Sequence, residues 1–148
     1  MFNFVVKYWG FLKFVPGLPH LFDAWLKLWT LITNPKLLDW IDDIEKEVLK
    51  RDNTTATTHK FGGLQFNHEN KELGHIHSNG LLDMLLNREL KQQLIQQNSR
   101  VKDHHSLKNT GWLSFYMETH GDKEFVLELF EMAYKVQMDK TNNKRNIL

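Results

Sequence analysis

Residues 59–77 read His59-Lys-Phe-Gly-Gly-Leu-Gln-Phe-Asn67, then His68-Glu-Asn-Lys71, then Glu72-Leu-Gly-His-Ile-His77. Residues 59–67 read as a strand, with Gly62-Gly63 marking a bulge or a close backbone approach. The polar run 68–71 is a hairpin turn, and residues 72–77 return as a second strand. Two strands joined so tightly pair antiparallel. The fold therefore contains an antiparallel sheet, and the rest of the chain has to cover it.

Downstream, residues 81–86 are too apolar for a loop and read as a third strand or a short helical turn. Asn87 is an N-cap for a helix to residue 97, with Leu90 and Leu94 inward. Residues 98–109 form a polar loop. In the strand 111–118, Leu113, Phe115 and Met117 alternate with Trp112, Ser114 and Tyr116. Thr119-x-x-Asp122 is a capping-box variant opening a last helix. Its buried face is Phe125, Val126, Leu129, Phe130, Ala133 and Val136. Residues 139–148 form a polar, frayed C-terminal tail.

Upstream, residues 52–58 are a polar linker. Asn34-Pro35 caps a helix to about residue 51, with Leu37, Leu38, Ile41, Ile44 and Val48 on one side. Residues 1–33 form an aromatic-rich helical arm of two short pieces, broken at Pro16-Gly17 and Pro19. The second piece spaces Leu21, Phe22, Trp25, Leu28, Trp29 and Ile32 as a helix does. The fold class is α+β: a small antiparallel sheet with helices packed on it. The divisions are the arm 1–33, the domain 34–138 and the tail 139–148.

A length of 148 residues fits one domain, and 41% hydrophobic with 25% charged residues is ordinary for a globular chain. A net charge of +1 with no basic face argues against nucleic acid as a partner. The absence of Cys removes disulfides, thiolate metal sites and thiol nucleophiles, and is compatible with the cytoplasm. The arm lacks a signal peptide's layout, and its charges and prolines leave no run of about 18 apolar residues to span a bilayer. Its aromatic stripe packs on the domain's own core or, in the alternative, on a membrane surface or a second copy.

The chain carries eight His. His75 and His77, two apart on a strand, share a face. His104 and His105 lie in a loop that must rejoin the sheet before Gly111. Three readings stay open: structural His bonded to backbone, Glu72 or Asp83; a small-molecule site with a neutral His as base; and a metal site. No serine-nucleophile elbow, phosphate-binding glycine loop or His-Glu-x-x-His helix is present.

The ordered set Lys60-Phe-Gly-Gly-Leu-Gln-Phe66, Glu72-Leu-Gly-His-Ile-His77, Leu81-Leu-Asp83, His104-His105-Ser-Leu107 and Gly111-Trp-Leu-Ser-Phe115, followed by the closing helix through Tyr134, resembles the luciferase-like domain family. That family includes the luciferases of glowing fungi. The resemblance covers residues 60–134, about half the chain. The fungal enzymes oxidise a hydroxylated pyrone with molecular oxygen, without metal or organic cofactor. Carried over, the resemblance implies a site at Glu72, His75, His77, His105 and Trp112. It also implies chemistry in which a His base deprotonates an enol whose anion meets oxygen. It does not carry over light emission.

The expected site thus has His75, His77 and His105 in catalysis, with Glu72, Asp83, His104 and Trp112 contacting a small organic molecule. No metal or cofactor is expected. His75 and His77 supply only two ligands, and Glu72, three residues from His75, is expected on the strand's other face. The alternative is a non-catalytic domain that uses residues 1–33 for membrane-surface or self-association.

Overall fold

The computed structural model describes residues 18–145. Two helices come first, α1 (Leu18–Thr33) and α2 (Pro35–Val48). Three strands follow: β1 (Thr54–Thr58), β2 (Leu64–His68) and β3 (Lys71–Ile76). Next are β4 (Leu81–Leu85), α3 (Arg88–Gln97), the two-residue β5 (Lys102–Asp103), β6 (Trp112–Tyr116) and α4 (Gly121–Arg145). The six strands lie in the order β1-β2-β3-β4-β6-β5, and every neighbouring pair is antiparallel. This is the expected α+β arrangement.

Three local expectations shift. Residues 54–58 form the edge strand β1 rather than a linker: their β-branched Thr residues suit an exposed edge paired only to β2. Residues 59–63 are the β1–β2 turn, where Gly62 and Gly63 take φ of 87° and 91°. A Cβ on Gly63 would stand 2.6 Å from the Ile76 carbonyl oxygen, so the turn closes only around a glycine. The last helix continues to Arg145, past the point where a frayed tail was expected to begin. Residues 81–85 are a strand, which resolves that alternative. Asn87 caps α3 as expected, its side chain accepting from the Leu90 N–H at 2.8 Å.

Register decides which residues share a face. One row crosses all six strands: Thr57, Gln65, His75, Asp83, Ser114 and Lys102. The adjacent residues Phe66, Met84, Leu113, Leu82 and Phe115 point the other way. There they meet Ile41, Ile44 and Val48 of α2 and Val126, Leu129, Phe130 and Ala133 of α4 in one buried core. Helices thus cover one side of the sheet, and the other side carries polar groups.

β3 breaks its own alternation. Phe66 pairs with Gly74 and Asn67 with Glu72, leaving Leu73 as the extra residue of a β-bulge. Leu73 joins the core. Glu72 is thereby turned onto the same face as His75, contrary to the expectation for an unbroken strand.

The arm also differs from the simplest expectation. Among the described residues of α1, Leu26 and Thr30 are the buried ones. Asp23 accepts from the Ser78 hydroxyl at 3.3 Å, tying α1 to the β3–β4 turn. Trp25 and Trp29 do not pack into the core: they are 44% and 50% exposed and stack on each other at 6.0 Å. The first helical piece expected of the arm falls outside the described residues. Among those described, no helix is long and apolar enough to cross a membrane.

Candidate functional site

The polar face gathers imidazoles from four segments. His75 lies on β3, His77 just after it, His59 at the end of β1 and His104 after β5. His59 stacks flat on His75, with ring centroids 3.8 Å apart and planes 10° from parallel. His77 stands nearly perpendicular to His75 at 5.2 Å. Trp112 on β6 lies 5.9 Å from both His75 and His104 and forms an aromatic wall.

His75 is the centre. Its Nδ1–H donates to Glu72 Oε1 at 2.6 Å, a contact that the bulge creates. Its Nε2 lies 3.5 Å from Asp83 Oδ2. Asp83 is buried and accepts from the Ser114 hydroxyl through its other oxygen. Burial works against a charged His75, but the contacts with Asp83 and Glu72 outweigh it and raise its pKa to about 9. Burial also pushes the Asp83 carboxyl up, yet the bonds from His75 and Ser114 hold it below the usual carboxylate range. His59 and His77 are both lowered to about 4, by burial first and then by the neighbouring His75 charge. At neutral pH the cluster holds one imidazolium between two carboxylates, with neutral imidazoles around it.

His104 has a fixed tautomer. Its Nδ1 accepts from the backbone N–H groups of Ser106 and Leu107, both at 3.2 Å, so the neutral ring carries its proton on Nε2. That Nε2 faces Asp83 Oδ2 at 3.8 Å. Burial lowers its pKa. The loop is held from beneath by Lys91, which is 1% exposed and bonds the Asp103 carboxylate at 2.7 Å and the Lys108 carbonyl at 2.6 Å.

Six of the seven residues picked from sequence come together here: Glu72, His75, His77, Asp83, His104 and Trp112. His105 is set apart. It is exposed and meets the cluster through His104, their ring centroids 4.3 Å apart. His59 was missed. It continues the two-residue alternation of Thr55 and Thr57, a signal visible only once residues 54–58 are read as a strand. His68, expected in the hairpin turn, is the last residue of β2, points to the core side and packs edge-on against Tyr134 at 4.7 Å.

Among the described residues, two groups of three could hold a metal ion: His59, Glu72 and His75, or His75, His77 and Asp83, each with ligating atoms within 4.8 Å of one another. A separate cleft of about 370 Å³ lies between the α1–α2 junction and the end of β6, lined by Trp29, Thr33, Leu37, Asn79, Tyr116 and Glu118 among others, and none of the clustered imidazoles lines it.

Residues 70–133 match the family model described as Luciferase domain. The match contains Glu72, His75, His77, Asp83, His104, His105 and Trp112, and leaves His59 and α1 outside. No curated protein and no solved structure matches the chain.

Proposed function

We propose that this luciferase-like domain binds a small, flat organic molecule bearing an acidic hydroxyl on its imidazole face and removes the hydroxyl proton. The observation that carries the reading is the convergence of His75, His77, His104 and Asp83 beside Trp112. The His104 Nε2–H and the indole offer a donor and a stacking surface for such a ligand. His105, exposed beside His104, is the base that can pass a proton on to water. The electron-rich anion left behind is of the kind that reacts with molecular oxygen, as the family resemblance implies.

The test titrates the full chain with a hydroxylated pyrone and with its O-methyl ether, following heat and oxygen uptake. The hydroxylated compound is expected to bind about tenfold tighter, a difference of about 1.4 kcal/mol. Trp112→Ala should weaken both by a similar factor. His105→Gln should cut oxygen uptake by about 100-fold or more while leaving binding in place. Equal binding of the two compounds, or uptake untouched in His105→Gln, contradicts the reading.

A second reading concerns α1 and is favoured by its bare stripe. Leu21, Trp25, Leu28, Trp29 and Ile32 lie on one side of the helix and are exposed, Leu21 and Ile32 to 68% and 71%. A contiguous apolar stripe of this kind suits a lipid surface or a second copy. Sedimentation with anionic vesicles and analytical ultracentrifugation separate the two. The wild-type chain should pellet with vesicles or self-associate, and a Trp25→Ser/Trp29→Ser/Ile32→Ser variant should do neither. A wild-type chain that stays monomeric and free of vesicles would overturn it.

A further inference from the structure

The sequence argument against a metal assumed that Glu72 turns away from His75 and that only two ligands are at hand. The bulge at Leu73 removes the first premise, and Asp83 removes the second.

We propose that His75 Nε2, one ring nitrogen of His77 and Asp83 Oδ2 form a binding site for a divalent transition-metal ion. The site lies on the proposed ligand face, and it departs from the metal-free chemistry that the family resemblance implies.

Four observations support it. First, the spacing fits: His75 Nε2 and Asp83 Oδ2 are 3.5 Å apart. Two ligand atoms, each roughly 2.1 Å from a tetrahedral ion, stand roughly 3.4 Å apart. Second, the His75 and His77 rings lie 85° apart, so their in-plane lone pairs can meet at one point. The alternative group does not allow this. His59 lies parallel over His75, and two stacked rings cannot both hold an ion in their planes.

Third, the supports of a ligand set are in place. Glu72 accepts the His75 Nδ1–H at 2.6 Å, which leaves Nε2 as the ligating nitrogen. A carboxylate behind a ligand imidazole is the usual partner of a metal-bound histidine. Ser114 engages one Asp83 oxygen and leaves the other, Oδ2, toward His75. Fourth, the neighbouring His104 stays out of the ligand set. His104 cannot ligate through Nε2 while its Nδ1 accepts two backbone N–H groups. It instead keeps its Nε2–H toward Asp83, as a hydrogen-bond donor beside the ligands. Two imidazoles and one carboxylate with open positions are a donor set for iron(II), zinc and related ions.

The test uses the untagged full chain, stripped with chelator and titrated with Co²⁺ and then Zn²⁺, with no organic ligand present. One equivalent of Co²⁺ should bind and develop visible ligand-field absorption, which Zn²⁺ then removes. X-ray absorption should show two imidazoles and oxygen donors around the ion. Glu72→Gln should weaken Zn²⁺ by about 10- to 100-fold. His77→Ala should abolish stoichiometric binding, while His59→Ala should retain it. Absence of stoichiometric metal in the wild-type chain overturns the proposal, as does a bound ion with fewer than two imidazoles. Equal loss in His59→Ala and His77→Ala counts against this choice of ligands. X-ray absorption on the wild-type chain decides the matter even if a variant fails to fold. Because no organic ligand is added, a negative result leaves pyrone binding to be judged separately.

Discussion

Gln65 and Phe66 leave the same strand in opposite directions. Phe66 meets Phe130 edge-on at 4.7 Å in a fully buried core. Gln65 lies in the polar row beside His75 and bonds Asn67 at 2.6 Å. The helix side is filled by shape and apolar area, which stabilises the fold without chemistry. The other side holds buried titratable groups that a stable core would not choose, since their desolvation has to be offset contact by contact.

The contrast breaks if the two faces respond alike to truncation. Phe66→Ala should destabilise the chain by about 3–5 kcal/mol, through lost burial and the cavity left behind. Gln65→Ala, one residue away, should cost about 1 kcal/mol or less. Chemical denaturation of both variants measures the difference. Comparable losses would mean that the polar row is part of the structural core.

Much of the helix side was legible in the sequence. The period of α2 and α4, the Asn87 cap and the alternation of residues 112–116 are local patterns, and local patterns survive into the fold. The polar side was legible in its residue types and less so in its geometry. Glu72 was named for the site but assigned to the wrong face, because a bulge is a property of two strands in register and leaves no mark in one. His59 was hidden by its Thr-rich approach, which reads as a linker until pairing with β2 makes it an edge strand. His104 and His105 are adjacent, and only the backbone bonds from Ser106 and Leu107 show which one turns inward. In α1 the helical spacing was right. It could not show that Leu26 and Thr30, rather than the tryptophans, would take the contact with the domain.

The central claim is that the bulge places Glu72 on the His face, so that His75 is held between two carboxylates. Nitrogen-15 NMR of the imidazole rings in the metal-free chain tests it most directly. His75 should be doubly protonated at pH 7.5 and titrate at about 9, while His59 and His77 stay neutral down to about 4. The sign for stability follows. A pKa raised above the free value of 6.5 means that His75 contributes fully below about pH 6.5, and the contribution fades as the pH rises through 9. His104 should show its proton on Nε2 alone. A His75 that titrates near 6.5 as an ordinary single-tautomer imidazole would contradict the account.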